Sequence, residues 1–190
     1  ISIRDLYTLQ ELDWEMDGHA TTLITVEKTI GDDRKLQELN KEIEEQELQL
    51  TAIRGQQRES EIEGERYREK AIAVEARLYG GTVRNPRELS DLQGELTQLL
   101  ALQRPVEDGT LELMEQGDKL YGHLQNLKAD FSDGTAQWEA EQASLISRQA
   151  SLVDEISGFG RQRKNLVADL DTAILSLYDL LRDSRHGHAV

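Results

Sequence analysis

Apolar residues recur along the chain at alternating steps of three and four positions, which is the heptad pattern of coiled-coil helices. The first stripe runs from about residue 3 to residue 79 and contains one additional three-residue step at Gly31–Asp33. Such a step predicts a stammer that overwinds the coil locally without ending the helix. A second heptad stripe runs from Leu89 to Phe131, and beyond Gly134 a wider apolar stripe with a period nearer 3.6 continues to about residue 160. The pattern therefore predicts two long helices, at about 3–79 and about 86–160.

The segment between the two stripes combines a helix stop with a helix start. Gly80 and Gly81 can take the left-handed conformation that ends a helix. Asn85 is a favourable N-cap, Pro86 suits the first helical position, and Glu88 has the spacing of a capping box. Residues 80–85 are therefore predicted to form the tip of a helical hairpin.

The positions of the weak parts of the two stripes support an antiparallel pairing. If the helices pair about the tip, Gly64 faces Gln103 and Gln57 faces the stretch around Thr110, so polar parts of both seams coincide. The glycine-containing breaks further from the tip coincide as well. A parallel dimer of either helix does not require these matches. Each arm is predicted to be ~115 Å long at 1.5 Å per residue.

A further amphipathic segment follows the second long helix. It predicts a C-terminal helix at 166–185, folded back onto the base of the hairpin beside residues 3–30 as a short three-helix bundle. The predicted fold class is all-α, a long antiparallel coiled-coil hairpin with a short third helix packed at its base. The predicted domains are the hairpin, 1–165, and the C-terminal helix, 166–185.

Composition narrows the functional classes. Charged residues make up 31% of the chain, aromatic residues 5%, and the net charge is −15. This acidic balance works against nucleic-acid phosphates or anionic membranes as the main partner. No stretch approaches the ~20 apolar residues that a membrane-spanning helix needs. The sequence contains no cysteine, which excludes disulfide and thiolate chemistry within it.

The search for reactive side chains predicts no catalytic, cofactor-binding or metal-binding residue in this chain. The carboxylates are spread along helix faces, where they usually form solvated ion pairs. His19 falls on a core position of the first stripe and is expected to be buried or at an interface. His186 and His188 could supply two ligands for a metal ion at the end of the sequence, but two ligands alone are a weak indication of a metal site. Trp14 and Trp138 are interpreted as packing residues near the base.

Two basic clusters stand out against the acidic background. Arg84 lies in the tip and Arg87 in the first turn of the following helix, where a cation is disfavoured by the helix dipole. These two residues are candidate contacts for a protein partner. The second cluster lies at the base, and its candidate nucleic-acid contacts are Arg161, Arg163 and Lys164, with Arg182 and Arg185 nearby.

Several segments carry a resemblance to a known bacterial family, whose members combine an N-terminal helical hairpin with a C-terminal four-cysteine zinc ribbon. The tip is the most specific of these segments, which are Leu9–Asp13, Leu78–Gly81, Asn85–Glu95, Leu111–Glu115, Leu177–Arg182 and Gly187–Val190. The resemblance implies a zinc ribbon beginning just past Val190. Zinc is therefore expected in that missing domain and not in this chain, which has none of the four cysteines.

The resemblance also implies a non-enzymatic function. Members of the family resemble adaptors or chaperones that bind proteins, including an alternative sigma factor and flagellar or type III secretion components in relatives. The leading hypothesis is a cytoplasmic bacterial scaffold or adaptor for protein partners. One alternative is nucleic-acid binding through the basic base and the zinc ribbon, and another is a structural spacer or homodimer. The hairpin is expected to be a monomer or a weak dimer.

Overall fold

The computed structural model describes residues 3–184, and this part of the chain is built from helices without a strand. The all-α coiled-coil hairpin class predicted from the heptad pattern is confirmed. The four helices are α1 (Ile3–Thr29), α2 (Arg34–Tyr79), α3 (Pro86–Ala168) and α4 (Thr172–Ser184).

These helices form two compact units, which differ from the predicted division at residue 165. One unit, here called the tip unit, comprises residues 35–134. The other, here called the base unit, is made of residues 1–34 and 135–190, of which 3–34 and 135–184 are described. The C-terminal helix packs within the base unit, because Tyr178 of α4 and Leu9 of α1 belong to one apolar cluster.

The tip unit pairs α2 with the first half of α3 in antiparallel orientation. Its buried core consists of two clusters, one around Leu50 and Leu124 and one around Leu78 and Leu92. Between them the seam is polar, and the hydroxyl oxygens of Ser60 and Thr110 lie 2.7 Å apart. The weak stretches of the two helices therefore face each other, as predicted.

The register of this pairing differs from the predicted one by three residues. The nearest neighbour of Gly64 is Val106, not Gln103, and Thr110 faces Ser60 instead of Gln57. In the observed register the core positions of α2 face core positions of α3, as Ile53 faces Gly117 and Ser60 faces Thr110. The predicted register, in which Gly64 faces Gln103, achieves this only at alternate core positions, so the apolar stripe itself favours the observed pairing.

The stammer predicted at Gly31–Asp33 is instead a true helix break. Gly31 has a φ of 80°, a left-handed conformation that favours glycine, and its N–H donates to the Gln142 Oε1 atom over 2.7 Å. The Asp32 carboxylate then accepts a hydrogen bond from the Arg34 backbone N–H, and the Asp32 carbonyl accepts one from Trp138 Nε1 at 2.8 Å. Side chains of α3 thus satisfy backbone groups that a continuous helix would have satisfied internally.

α3 continues eight residues past its predicted end at residue 160. Gly158 and Gly160 lower the helix propensity there by about 1 kcal/mol each relative to alanine. Packing offsets this cost, since Leu152 is fully buried and Leu166 and Val167 contact the Leu9–Tyr178 cluster. α4 accordingly begins at Thr172 instead of residue 166, after Asp171 accepts a hydrogen bond from the Ala173 N–H as its N-cap.

Candidate functional site

The tip of the hairpin depends on two glycines. Gly81 has a φ of 73°, which L side chains rarely adopt. Gly80 has a different constraint, because a Cβ atom added there would lie 2.4 Å from the carbonyl oxygen of Ala76. That same carbonyl accepts a hydrogen bond from the Gly80 N–H at 2.9 Å, so the chain leaves α2 with this backbone group paired.

The start of α3 is capped by Asn85, whose side-chain oxygen accepts a hydrogen bond from the Arg87 N–H at 3.0 Å. Pro86 is the first residue of the helix. The Glu88 carboxylate accepts a hydrogen bond from Arg77 at 3.3 Å, so it links the two helices across the tip. The tip loop is also anchored from within, because Val83 packs on the apolar cluster around Leu78 and Leu92.

This anchoring leaves a distinct set of side chains facing solvent at the tip. Arg84 and Arg87 are both exposed, and Tyr79 is 72% exposed at the last position of α2. Arg77 is already paired with Glu88. The tip therefore presents two guanidinium groups and a phenol ring on a fixed backbone turn, which we call the tip surface (Tyr79, Arg84 and Arg87).

The base unit contains an ion-pair network centred on Asp13 of α1. Asp13 is 1% exposed, and its carboxylate accepts a hydrogen bond from Arg163 Nε of α3 at 2.7 Å and one from the Tyr178 hydroxyl of α4 at 3.1 Å. Arg182 Nη1 of α4 lies 3.4 Å from the same carboxylate. One buried carboxylate thus connects α1, α3 and α4.

Two exposed carboxylates complete this network. Arg163 Nη2 donates to Asp179 at 3.2 Å, and Arg182 Nη2 donates to Asp17. Each guanidinium is therefore shared between the buried Asp13 and a carboxylate at the surface. A buried charge is tolerated when it is paired and hydrogen-bonded in this way. The arrangement connects three helices, and its charged groups are paired with one another.

The network shifts the pKa values of its basic and phenolic members. Burial raises the pKa of Tyr178, and the negative charge of Asp13 raises it further. The hydrogen bond to Asp13 raises the pKa of Arg163. Burial opposes the charged form of Arg182, but the hydrogen bond to Asp17 and the charges of Asp13 and Asp17 outweigh it and raise the pKa. All three groups therefore keep their protons across the physiological pH range.

The raised pKa of Tyr178 predicts a loss of stability in alkali. Unfolded tyrosine ionises near pH 10, whereas folded Tyr178 stays protonated to higher pH. The contribution of Tyr178 to the free energy of unfolding is therefore fully present below about pH 10, and it is lost as the pH rises through the pKa of the folded state. Subtracting the phenolate absorbance titration of Tyr178→Phe from that of the wild type isolates this residue. A midpoint at or below pH 10 would contradict the expectation, and Tyr121→Phe serves as the exposed control.

The structure separates the three candidate nucleic-acid contacts. Arg161 and Lys164 are exposed, but Arg163 is committed to Asp13 and Asp179. Arg182 is likewise engaged by Asp13 and Asp17, while Arg185 lies outside the described residues. The basic cluster inferred from the sequence is in large part neutralised by carboxylates that are distant along the chain.

Two further sequence interpretations need correction or refinement. Trp14 is 58% exposed and is not a core packing residue, whereas Trp138 is half-buried and bonded to the Asp32 carbonyl. His19 is half-buried: its Nε2 lies 2.7 Å from Glu155, and its ring stacks edge-on against Phe159. The hydrogen bond from Ser151 and the positive groups near Glu155 lower the pKa of that carboxyl.

The part of the chain that the structure describes offers no site for the zinc implied by the resemblance. Within residues 3–184, no group of three or more His, Cys, Asp or Glu side chains is arranged to bind a metal ion. The sequence also lacks the cysteines that a ribbon requires. His186 and His188 lie outside the described residues. Over the same described range, no helix is both long and apolar enough to cross a bilayer.

Sequence reasoning missed Asp13 as the centre of the base unit. The available signal was its spacing, because Asp13 follows the core residue Leu9 by four positions and so lies on the same face of α1. A carboxylate on a buried face requires a partner. Its partners, Arg163 and Tyr178, are 150 and 165 positions away, so only the tertiary structure identifies them.

These features agree with one known family. The sequence profile of the CT398-like coiled coil hairpin domain matches residues 9–186, and the chain therefore belongs to this family. A solved structure of CT398 from Chlamydia trachomatis is similar over 96% of this chain and 77% of that one, with a TM-score of 0.70 and 18% identity. A structure from Mycobacterium smegmatis is similar over 95% and 76%, with a TM-score of 0.54 and 21% identity. Identities this low establish the shared fold alone. A comparison with curated proteins finds no match.

Proposed function

We propose that this protein is a non-enzymatic adaptor or scaffold that binds a protein partner through the tip surface. The observation that carries the proposal is the exposure of Tyr79, Arg84 and Arg87 around a turn that is capped by Asn85 and anchored by Val83. Tyrosine and arginine are the residue types enriched at binding hot spots. They lie here on a chain of net charge −15, whose other surfaces repel an acidic partner.

The charge of the tip indicates the chemistry of the partner. Arg84 and Arg87 are exposed, and the nearby Arg77–Glu88 pair is internally neutral. A protein surface with carboxylates positioned for guanidinium groups, beside an apolar patch for the Tyr79 ring, fits this arrangement. The resemblance to the zinc-ribbon family implies partners such as a sigma factor or secretion components. We propose that this chain binds partners of that protein class in the bacterial cytoplasm.

Nucleic-acid binding through the base has less support. Arg163 contributes its charge to Asp13 and Asp179, so Arg161 and Lys164 remain as the exposed cations of that set. Two cations on an acidic chain supply little of the counterion release that drives such binding. Zinc belongs to the proposal only through a ribbon beyond Val190, because this sequence contains no cysteine to hold it.

The adaptor proposal is tested with a tagged chain used as bait in bacterial lysate. Proteins retained by the wild type and lost by the Arg84→Glu/Arg87→Glu variant are identified by quantitative mass spectrometry. Each is then purified and titrated by calorimetry. We expect the double reversal to weaken binding of the true partner by about 100-fold or more, since it replaces two attractions with two repulsions.

The matched control reverses two arginines elsewhere on the hairpin. Arg58→Glu/Arg104→Glu makes the same change of net charge at exposed positions away from the tip. A partner that requires the tip binds this control like the wild type. Equal loss in both variants would show that net charge alone governs binding, and retention by the tip variant would overturn the proposal. Circular dichroism confirms that both variants remain helical.

A further inference from the structure

A second surface lies on the base unit, in an open groove lined by one face of α1 and by Arg148 of α3. The groove holds about 770 Å³ and extends from Thr8 to Thr22, with Arg148 of α3 on its far side. Fifteen helical residues span about 21 Å, which matches four turns of another helix. Trp14 forms one wall and is 58% exposed, an unusual position for the largest apolar side chain.

The two threonines that line the groove have hydroxyl groups that are already hydrogen-bonded within α1. The hydroxyl of Thr8 donates to the Arg4 carbonyl at 3.0 Å, and that of Thr22 donates to the Gly18 carbonyl at 2.9 Å. Because these hydroxyls are already satisfied by the backbone of α1, their methyl groups are the parts left to face a neighbour. An apolar partner can cover them without breaking a hydrogen bond.

Gly18 is one of the residues that line the groove, and none of the described residues fills the space beside its α-carbon. A Cβ atom added at this position would meet nothing within 4 Å, and the residue lies inside α1, where glycine costs about 0.5–1 kcal/mol relative to alanine. Within residues 3–184, no contact therefore explains why this position lacks a side chain. A glycine facing open space next to an exposed indole allows a second backbone to approach closely.

The charges around the groove select the kind of helix that fits. Glu11 and Glu15 line it and are both exposed, whereas Arg148 is paired with Glu155 at 3.5 Å. α1 as a whole carries six carboxylates against two cations. A second copy of this chain would bring like charges together, whereas a helix bearing lysine or arginine would pair with Glu11 and Glu15.

We propose that this groove, here called the Trp14 groove, binds an amphipathic basic helix of a partner protein. A small or apolar side chain of that helix lies over Gly18, an apolar ridge packs on Trp14, and cations flank it toward Glu11 and Glu15. This is the helix-in-groove mode of recognition. The site is on the base unit and does not depend on the tip surface, so each can fail without the other.

The test titrates the full chain with synthetic amphipathic helical peptides of about 18 residues. One set carries apolar residues at heptad spacing with lysine and arginine flanks, and the matched set replaces each cation with glutamate. The chain has two tryptophans, so the indole N–H signals in a nitrogen-15 NMR spectrum report Trp14 and Trp138 separately. We expect basic peptides to shift the Trp14 signal at concentrations below ~1 mM and acidic peptides to leave it unchanged.

Gly18→Leu is the decisive variant, because it fills the groove and removes the helix penalty of glycine. We expect the variant to be at least as stable as the wild type and to bind basic peptides about 30-fold more weakly. Gly122→Leu is its matched control, since Gly122 is also a helical glycine with open space around it, on the tip unit. This control is expected to bind like the wild type.

Three results would overturn the proposal. The first is an unchanged Trp14 signal with every basic peptide up to ~1 mM. The second is equal binding of acidic and basic peptides, or equal binding by Gly18→Leu and the wild type. The third is a concentration-dependent dimer in light scattering that disappears in Gly18→Leu, which would assign the groove to a second copy of the chain.

Discussion

Replacing Asp13 with alanine is expected to destabilise the base unit by about 3–5 kcal/mol. The substitution removes the acceptor shared by Arg163 and the Tyr178 hydroxyl, and Arg182 loses one of its two carboxylates. The Tyr178 hydroxyl is then buried without a hydrogen-bond partner. The guanidinium groups of Arg163 and Arg182 also lose the negative charge that both of them contact. Urea denaturation followed by circular dichroism gives the free energy of unfolding.

Asp17→Ala provides the matched control for this prediction. Asp17 also pairs with Arg182, but its side chain is 52% exposed. Surface ion pairs contribute about 0–1 kcal/mol, so a small change is expected. Hydrogen exchange locates the effect of Asp13→Ala, with faster exchange expected in α4 than in the tip unit. Equal destabilisation by the two variants would show that burial of Asp13 is not what makes the network important.

The second large effect is expected for Leu124→Ala in the tip unit. Leu124 is 3% exposed and packs in the cluster with Ile43, Leu50 and Leu127. Truncating a buried leucine removes apolar burial and leaves a cavity, which costs about 2–5 kcal/mol. The two-helix core has few neighbours that could fill the space. Urea denaturation again measures the loss, and hydrogen exchange is expected to accelerate around residues 39–50 and 120–131.

Leu48→Ala is the corresponding control, because Leu48 is a leucine of α2 in the same unit with 73% of its side chain exposed. Its truncation is expected to change the free energy of unfolding by less than about 0.5 kcal/mol. A loss above 1 kcal/mol for this variant, or below 1 kcal/mol for Leu124→Ala, would contradict the assignment of the core.

The heptad pattern predicted most of the helical residues and the faces that they bury, but not the break between α1 and α2. The pattern also contains the register, because a slide of three residues from the predicted pairing brings the core positions of α2 opposite those of α3. Gly64 faces Val106 and not Gln103, so the error came from the pair of residues chosen at the tip and not from the pattern.

The helix ends were predicted well only where local chemistry determines them. At the tip the helix ends are determined locally, because Gly80 and Gly81 end α2 and Asn85 caps the start of α3. The extension of α3 to Ala168 does not, because distant partners outweigh the glycines near residue 160. The helix break at Gly31 is likewise stabilised by Gln142 and Trp138, more than 100 positions away.

The same distinction applies to the candidate sites. Arg84 and Arg87 were identified from sequence because a cation in a loop or first turn has no local explanation. The Trp14 groove was not, since Trp14 was interpreted as a packing residue and only its exposure reveals the surface. The ion pairs of Arg163 were not predicted from the sequence either, because the carboxylates that pair with it come from α1 and α4.

The division of the chain has a consequence for the order in which the protein is made. The tip unit is continuous in sequence, from residue 35 to residue 134, whereas the base unit is assembled from both ends of the chain. During synthesis the tip unit can fold as soon as its residues leave the ribosome, and its contacts nearest the tip span the shortest loops. Asp13 must wait for Arg163, Tyr178 and Arg182, which are synthesised after the whole of the tip unit. Until those residues are synthesised, burial of the Asp13 carboxylate would leave its charge unpaired, which disfavours closure of the base unit.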